Sequence, residues 1–257
     1  MKSTWLLAAA HDATDAGILA RAGVDRIVAY HSSVYRAQGL PSVGGLLPWA
    51  SANGQTLDML PDVRAGAGGT PVLATVCASD PLRPVPEMLD RLAEAGAAGV
   101  VNAPTVGLLT GPVRHAVESA GLGLDAEIGL LRQARERGLE AWAYVFDAEW
   151  IRSAIGAGAT GLILHLGITG FASPDDVARQ LSDAIPAADP HPPLLLHGGP
   201  LRVPTDLEQL FATQPVTRGK VDGFFGASAF SHSVDITADA TSWRGILEFG
   251  RRADPIA

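Results

Sequence analysis

The chain has 257 residues, 47% hydrophobic and 18% charged, which provides for a large core and excludes an intrinsically disordered chain. A formal net charge of -8 excludes the basic face of an ordinary nucleic-acid binder, and the single cysteine, Cys77, excludes an internal disulfide framework and a multi-cysteine zinc site. Lys2 and Lys220 are the two lysines among 19 basic residues, one terminal and one just before a strand, so lysine-imine aldolase chemistry and pyridoxal phosphate catalysis are not expected.

The opening MKSTWLLAAAHDA resembles a signal peptide, but its apolar run, Trp5 to Ala10, falls short of the usual h-region of about 7–15 residues. It is read as a buried first strand of a cytoplasmic protein. No run of about 18 apolar residues predicts a membrane span. Strands are predicted at Trp5–Ala10, Arg26–Tyr30, Pro71–Cys77, Gly99–Asn102, Glu140–Val145, Gly161–His165, Pro193–His197 and Asp222–Phe225. Continuous apolar runs such as GLILHL and LLLH fit strands covered on both faces, hence a parallel sheet. Helices are predicted at Asp15–Ala22, Ala52–Val63, Pro86–Ala95, Asp125–Arg137, Ala148–Ala157, Pro174–Ala184, Thr205–Ala212 and Thr241–Arg251. Ser173 before Pro174, Asp175 and Asp176 reads as an N-cap, and Gly23, Gly96, Gly138 and Gly158 read as glycines that end helices. The alternation predicts an α/β fold, a single (β/α)8 TIM barrel over 1–257, with an open doubly wound sheet as the alternative. His31–Ser51 and Ala103–Gly123 are the longest irregular segments, both following strands and therefore on the catalytic face.

Barrel enzymes carry their chemistry at the C-terminal ends of strands. Those positions hold His11 and Asp12; His31, Ser32 and Ser33; Cys77, Ser79 and Asp80; Asn102 and Thr105; Tyr144 and Asp147; then His165, His197 and Ser228. A lone histidine there is usually structural; His11, His31, His165 and His197 together point to at least one in the chemistry. Gly198, Gly199 and Gly226, with Ser228, follow strands seven and eight, where many barrels bind phosphate, and their backbone amides would suit a phosphate or a carboxylate. Neither a P-loop nor a GxGxxG fingerprint follows a strand, so no NAD or other ordinary nucleotide is expected. Glu127, in LGLDAEIGLL, could be an ordinary helix-start carboxylate, or could be folded over the barrel mouth by a long loop and act as a general base. Trp49, Trp150 and Trp243 are candidates for interface anchors or for core packing.

The stretch VVNAPTVGLLTGPVRHAVESAGLGLDAEIGLLRQARERGL is similar to the phosphoenolpyruvate hydrolase-like, or TIM-barrel signal-transduction, family. YHSSVYRAQGLPSVGGLLPWASAN, AYVFDAEWIRSAIGAGATGLILHLGITG, LLLHGGPL and VDGFFGAS extend the resemblance, in order, over roughly residues 24–228. A related barrel forms the C-terminal domain of a plant antiviral resistance protein. The resemblance implies a TIM barrel, often oligomeric, with carbon–oxygen or carbon–carbon chemistry on small oxo acids. Asn102, Glu127, His165, His197, Gly198 and Gly199 fall on matching positions. The sequence departs from the family at AAAHDATDAG after the first strand and at SAFSHSVD after the eighth, so a changed substrate is expected.

The leading expectation is an enzyme that makes or breaks a bond beside a carbonyl, by retro-aldol, retro-Claisen or hydrolytic chemistry on a small oxo acid or β-dicarbonyl. Glu127 is assigned as general base, His165 and His197 as proton shuttle or enolate stabilisers, and Asn102 as the group orienting the carbonyl. Ser32, Arg36, Thr105, Tyr144, Gly198, Gly199, Gly226 and Ser228 are assigned to an anionic small-molecule substrate. No nucleic-acid or membrane partner is expected, and a homo-oligomer is. A divalent metal held by Glu127, His165 and His197 is conceivable. The alternatives are a non-catalytic regulatory barrel, and an isomerase like phosphoenolpyruvate mutase using metal bound by Asp12, Asp80 and Asp147.

Overall fold

A computed structural model describes residues 4–47, 49–188, 192–231 and 233–252; Lys2 lies outside them. Eight parallel strands close into a barrel in chain order, β1 pairing with both β2 and β8. The first half contains β1 (Trp5–Ala10), α1 (Ala13–Arg21), β2 (Arg26–Ala29), α2 (Ser32–Ala37), α3 (Ala52–Gly66), β3 (Val72–Thr75), α4 (Val85–Glu94) and β4 (Gly99–Val101). Then come α5 (Gly111–Ser119), α6 (Leu124–Glu136), β5 (Glu140–Val145), α7 (Ala148–Gly156), β6 (Gly161–His165) and α8 (Pro174–Ala187). The chain closes with β7 (Leu194–His197), α9 (Pro204–Thr213), β8 (Gly223–Gly226), α10 (Ser228–Ser231) and α11 (Ile236–Arg252).

The predicted strands are present, with β2, β3 and β4 ending one or two residues early. The two segments expected to be irregular are not wholly so: α2 and a 3-10 turn at Ser42–Leu46 occupy the first, and α5 the second. The helix α2 has only six residues, and α5 carries only Val113, Ala116 and Val117 at helical spacing. The helix boundaries follow local chemistry. The Ser173 hydroxyl accepts from Asp176 N–H at the start of α8, and Gly96, at φ +74, ends α4 in a conformation L side chains rarely adopt.

Strand parity sorts the side chains into two cores. Leu7, Val28, Leu73, Val101, Trp142, Tyr144, Ile163, Leu195 and Phe225 form one cluster inside the barrel. Their neighbours Leu6, Ile27, Val100, Ala143, Leu162 and Leu194 pack outward under the helices. Trp150 and Trp243 belong to the outer core, Trp243 stacking on Phe224 at 3.7 Å, whereas Trp49 is half exposed and meets Tyr35 edge-on. At the N-terminal end of the strands Arg26 bonds Glu140, which also accepts from the Trp142 indole at 2.8 Å, so polar groups close this end of the barrel in pairs. Lys220 precedes β8 at the same end. Among the described residues no helix is long and apolar enough to cross a membrane.

Parity also determines what the strands carry at their upper ends. His165 and His197 lie two residues beyond the inward-facing Ile163 and Leu195, and the two histidines are register partners. Asn102 lies one residue beyond the inward-facing Val101, so it has the opposite parity and meets the helix layer.

Candidate active site

A cavity of about 640 Å³ opens at the C-terminal ends of the strands. Its floor includes Tyr30, Tyr144, His165 and His197, its wall Ser32, Arg36, Thr105 and Ser228. Inward parity brings three rings together. The centroid of Tyr144 lies 5.1 Å from that of His165 and 5.3 Å from that of His197, and the two imidazoles are 4.7 Å apart.

Hydrogen bonds on the far side of each imidazole fix its tautomer. Nδ1 of His197 lies 2.8 Å from the Phe225 carbonyl, which can only accept, so Nδ1 carries the proton and Nε2 has a free lone pair. Nδ1 of His165 accepts from Gly167 N–H at 3.2 Å, so its proton is on Nε2. One ring therefore offers an acceptor and the other a donor. Burial pushes the His197 pKa down to about 4, with Arg36 adding to the effect. Burial and the neighbouring His197 hold His165 well below the ordinary histidine range. Both rings are neutral at pH 7. His31 also lines the cavity; its Nε2 lies 3.2 Å from the Gly45 carbonyl, tethering the loop after β2, and burial lowers its pKa to about 4.

These depressed values have a consequence for stability. A histidine whose folded pKa lies below its unfolded value stabilises the fold above the unfolded value, and that contribution is lost as pH falls through the folded one. Relative to the variants His31→Asn and His197→Asn, urea titrations are expected to show the wild type losing about 3 kcal/mol of stability for each histidine between pH 6.5 and 4. Parallel profiles of wild type and variant over that interval would contradict burial in the neutral form.

Arg36 is 8% exposed and has no acidic partner among the described residues. Its Nε and Nη1 donate to the hydroxyls of Ser231 at 3.2 Å and Ser42 at 2.9 Å, its Nη2 donates to Ser33, and its guanidinium lies over the Tyr30 ring. Three neutral hydroxyls orient the guanidinium but leave its charge uncompensated, a costly arrangement in a buried site. The Tyr144 hydroxyl is buried with no hydrogen bond of ordinary geometry. Burial, and then the nearby Tyr30 phenol, raise its pKa well above the usual value, so it remains a proton donor.

Glu127 and Asn102 do not line the cavity. Glu127, in the first turn of α6 and 2% exposed, sits behind Thr105. It accepts from Thr105 Oγ1 at 2.9 Å, from Val106 N–H at 2.8 Å and from the Asn102 carboxamide. The Asn102 carboxamide extends the sheet past the end of β4, accepting from Tyr144 N–H at 2.6 Å and donating to the Tyr144 carbonyl at 3.3 Å. Burial raises the Glu127 pKa to about 7 against these three donors. The expected placement of Glu127 over the mouth is corrected by parity, because Asn102 faces the helices and Glu127 meets it there.

The glycines expected to cradle an anion are also off the cavity surface. Gly199 N–H already donates to the Gly167 carbonyl at 2.8 Å. A Cβ on Gly198 would lie 2.6 Å from that carbonyl oxygen, and one on Gly226 would strike the Phe230 ring. These residues permit close backbone packing. Glu127, His165 and His197 do not form a metal-ligand group; the one such group among the described residues is His11, Asp12 and Asp15, none of which lines the cavity. Asp12, Asp80 and Asp147 form no ligand group among the described residues, and each accepts from a nearby backbone N–H, at Asp15, Leu82 and Glu149. Sequence reasoning missed Ser33, Ser42 and Ser231 as the partners of Arg36. The Arg36–Ser231 pair spans 195 positions, and no local signal marks it.

A closed (β/α)8 barrel with a polar-floored cavity at its C-terminal strand ends has the architecture of a barrel enzyme. The model of the phosphoenolpyruvate hydrolase-like family matches residues 5–238, and the chain belongs to that family. It is 34% identical over 238 residues to the ToMV resistance protein Tm-1(GCR237) of Solanum lycopersicum, covering 87% of this chain and 31% of that protein. The chain thus spans about a third of that curated relative. Among solved structures, the phosphoenolpyruvate phosphomutase of Streptomyces platensis subsp. rosaceus shares the fold at TM-score 0.60 and 21% identity, over 98% of this chain and 85% of that one. A phosphonopyruvate hydrolase in complex with oxalate and Mg++ superposes at TM-score 0.57 and 18% identity, over 97% and 82%.

Proposed function

We propose that the protein is an enzyme making or breaking a bond beside the carbonyl of an oxo acid or β-dicarbonyl compound, by lyase or hydrolase chemistry without a lysine imine. One observation carries this reading. Among the described residues, a buried guanidinium with no ion-pair partner, a buried tyrosine hydroxyl with only the Tyr30 phenol beside it and two neutral imidazoles of opposite tautomer meet in one cavity. Arg36 binds the substrate carboxylate. Tyr144 and His165 Nε2–H donate to the carbonyl oxygen and stabilise the enolate as charge develops there. The role of base, first assigned to Glu127, passes to Nε2 of His197, which takes the proton from the carbon beside the carbonyl or from an attacking water. Burial is the main cause of its low pKa and the Arg36 charge a lesser one; a bound carboxylate offsets that lesser part. Ser32, Thr105 and Ser228 add polar contacts. Asn102 and Glu127 are positioning residues that hold Tyr144 and the loop after β4. The oxalate in the phosphonopyruvate hydrolase complex is an anion of the kind Arg36 would bind.

The Mg++ of that complex finds no matching donor set in this cavity. Magnesium takes oxygen ligands in near-octahedral geometry. Among the described residues the carboxylates lining the cavity are Asp206 and Asp239, no group of three ligand side chains forms there, and Asp206 is already engaged by Arg202 and Val203 N–H. No step of the reaction is therefore assigned to a metal.

Enolate formation is tested by proton NMR of 2-oxo acids incubated with the protein in deuterium oxide. The wild type is expected to exchange the C3 protons, His197→Asn to do so at least about 100-fold more slowly, and a chelator to leave the wild-type rate unchanged. Exchange at the uncatalysed rate, or unaltered exchange in His197→Asn, contradicts the assignment. A second reading, a non-catalytic regulatory barrel, is favoured by the resistance-protein relative. It predicts saturable binding of the same acids without exchange.

A further inference from the structure

The cavity is larger and more apolar than a small oxo acid requires. An acid of about six non-hydrogen atoms, each taking roughly the 30 Å³ of a water, fills under about a third of the volume. At about 640 Å³ the cavity falls within the range of sites that enclose drug-sized molecules. Its floor is polar, and Arg202, Asp206 and Asp239 add charged groups from the segments after β7 and β8. The outer part is lined by Leu40, Val43, Ile168, Phe171 and Val203, carried by the loops after β2, β6 and β7. Phe171 is 86% exposed and Val203 50%, and Leu40 and Val43 are also exposed, so three loops bring exposed apolar side chains to one cavity, beside Arg202. Scattered exposed apolar residues are ordinary, but their gathering at the mouth of a cavity marks a binding surface.

We propose that the substrate is amphiphilic: an oxo acid whose carboxylate and carbonyl lie on the floor and whose apolar chain, about six or more carbons long, runs out past Phe171 and Val203. The proposal rests on the assignment of Arg36 as the anion anchor and adds the class of acid. Isothermal titration of the full chain with straight-chain 2-oxo acids, from pyruvate to 2-oxodecanoate, tests it. Affinity is expected to rise roughly two- to fourfold per added methylene. The variant Phe171→Ser with Val203→Ser, two exposed positions, is expected to flatten that rise and leave pyruvate binding unchanged. Equal affinity for short and long acids, binding of none of them, or an undiminished rise in the double variant overturns it. A neutral arm separates this outcome from failure of the anchor. If 2-nonanone binds as tightly as 2-oxononanoate, Arg36 is not the anion anchor, whatever the chain-length dependence.

Discussion

Replacing Arg36 by methionine is expected to weaken binding of oxo acid anions by roughly 100- to 1,000-fold without unfolding the protein. A bound carboxylate can take two charge-assisted bonds from a guanidinium, and their loss accounts for that magnitude. The expected effect on stability has the opposite sign. The Arg36 charge is buried against Ser33, Ser42 and Ser231 with no carboxylate at ion-pair distance among the described residues, and its stem already packs within the protein. An apolar side chain of similar length removes the desolvation cost, so the melting temperature should hold or rise. Calorimetric titration and thermal unfolding of the one variant separate the two effects. Unchanged binding removes Arg36 from the site, and a large drop in melting temperature makes it a structural residue.

Glu127→Ala should be the most damaging single change in the barrel wall, costing roughly 3–5 kcal/mol. It leaves the Thr105 hydroxyl and Val106 N–H buried without an acceptor, and frees one of two bonds made by the Asn102 amino group. Because Asn102 holds both the N–H and the carbonyl of Tyr144, the Tyr144 hydroxyl should lose its position, and proton exchange should fall with it. Glu127→Gln, close in shape to the protonated acid, should fold. Its distinguishing readout is pH dependence. The folded pKa, about 7, lies above the ordinary 4.5, so the stability this carboxyl contributes is full below pH 4.5 and is lost as pH rises through 7. Relative to Glu127→Gln, the wild type should lose about 3 kcal/mol of stability between pH 4.5 and 8. Parallel stability curves for the two proteins would show that the carboxyl is not buried as described.

The barrel was legible because its determinants are local. Continuous apolar runs, helix-ending glycines such as Gly96 and the Ser173 cap each act within a few residues, and eight repetitions admit few topologies. The grouping of Tyr144, His165 and His197 followed from placing polar residues at strand ends. Glu127 shows where that approach stops. A strand-end rule brings residues to one rim, but a one-residue difference in parity decides which side of the wall they face, and the sequence does not mark where β4 ends. Arg36 shows a second boundary: Ser33 and Ser42 lie within six residues of it, but Ser231 on α10 reaches it only through chain closure. The anion-binding role expected of Gly198 and Gly199 was plausible from composition, yet the turn after β7 packs against the loop after β6 and uses the Gly199 amide there.

The proposed chemistry depends on two uncharged imidazoles presenting opposite faces to the substrate. Nitrogen-15 NMR of the histidine side chains at pH 7, assigned with His165→Gln and His197→Asn variants, measures this directly. The prediction is a neutral His165 protonated on Nε2 and a neutral His197 protonated on Nδ1, neither changing charge until the pH falls well below 6. A charged ring at pH 7, or the same tautomer on both, would contradict it.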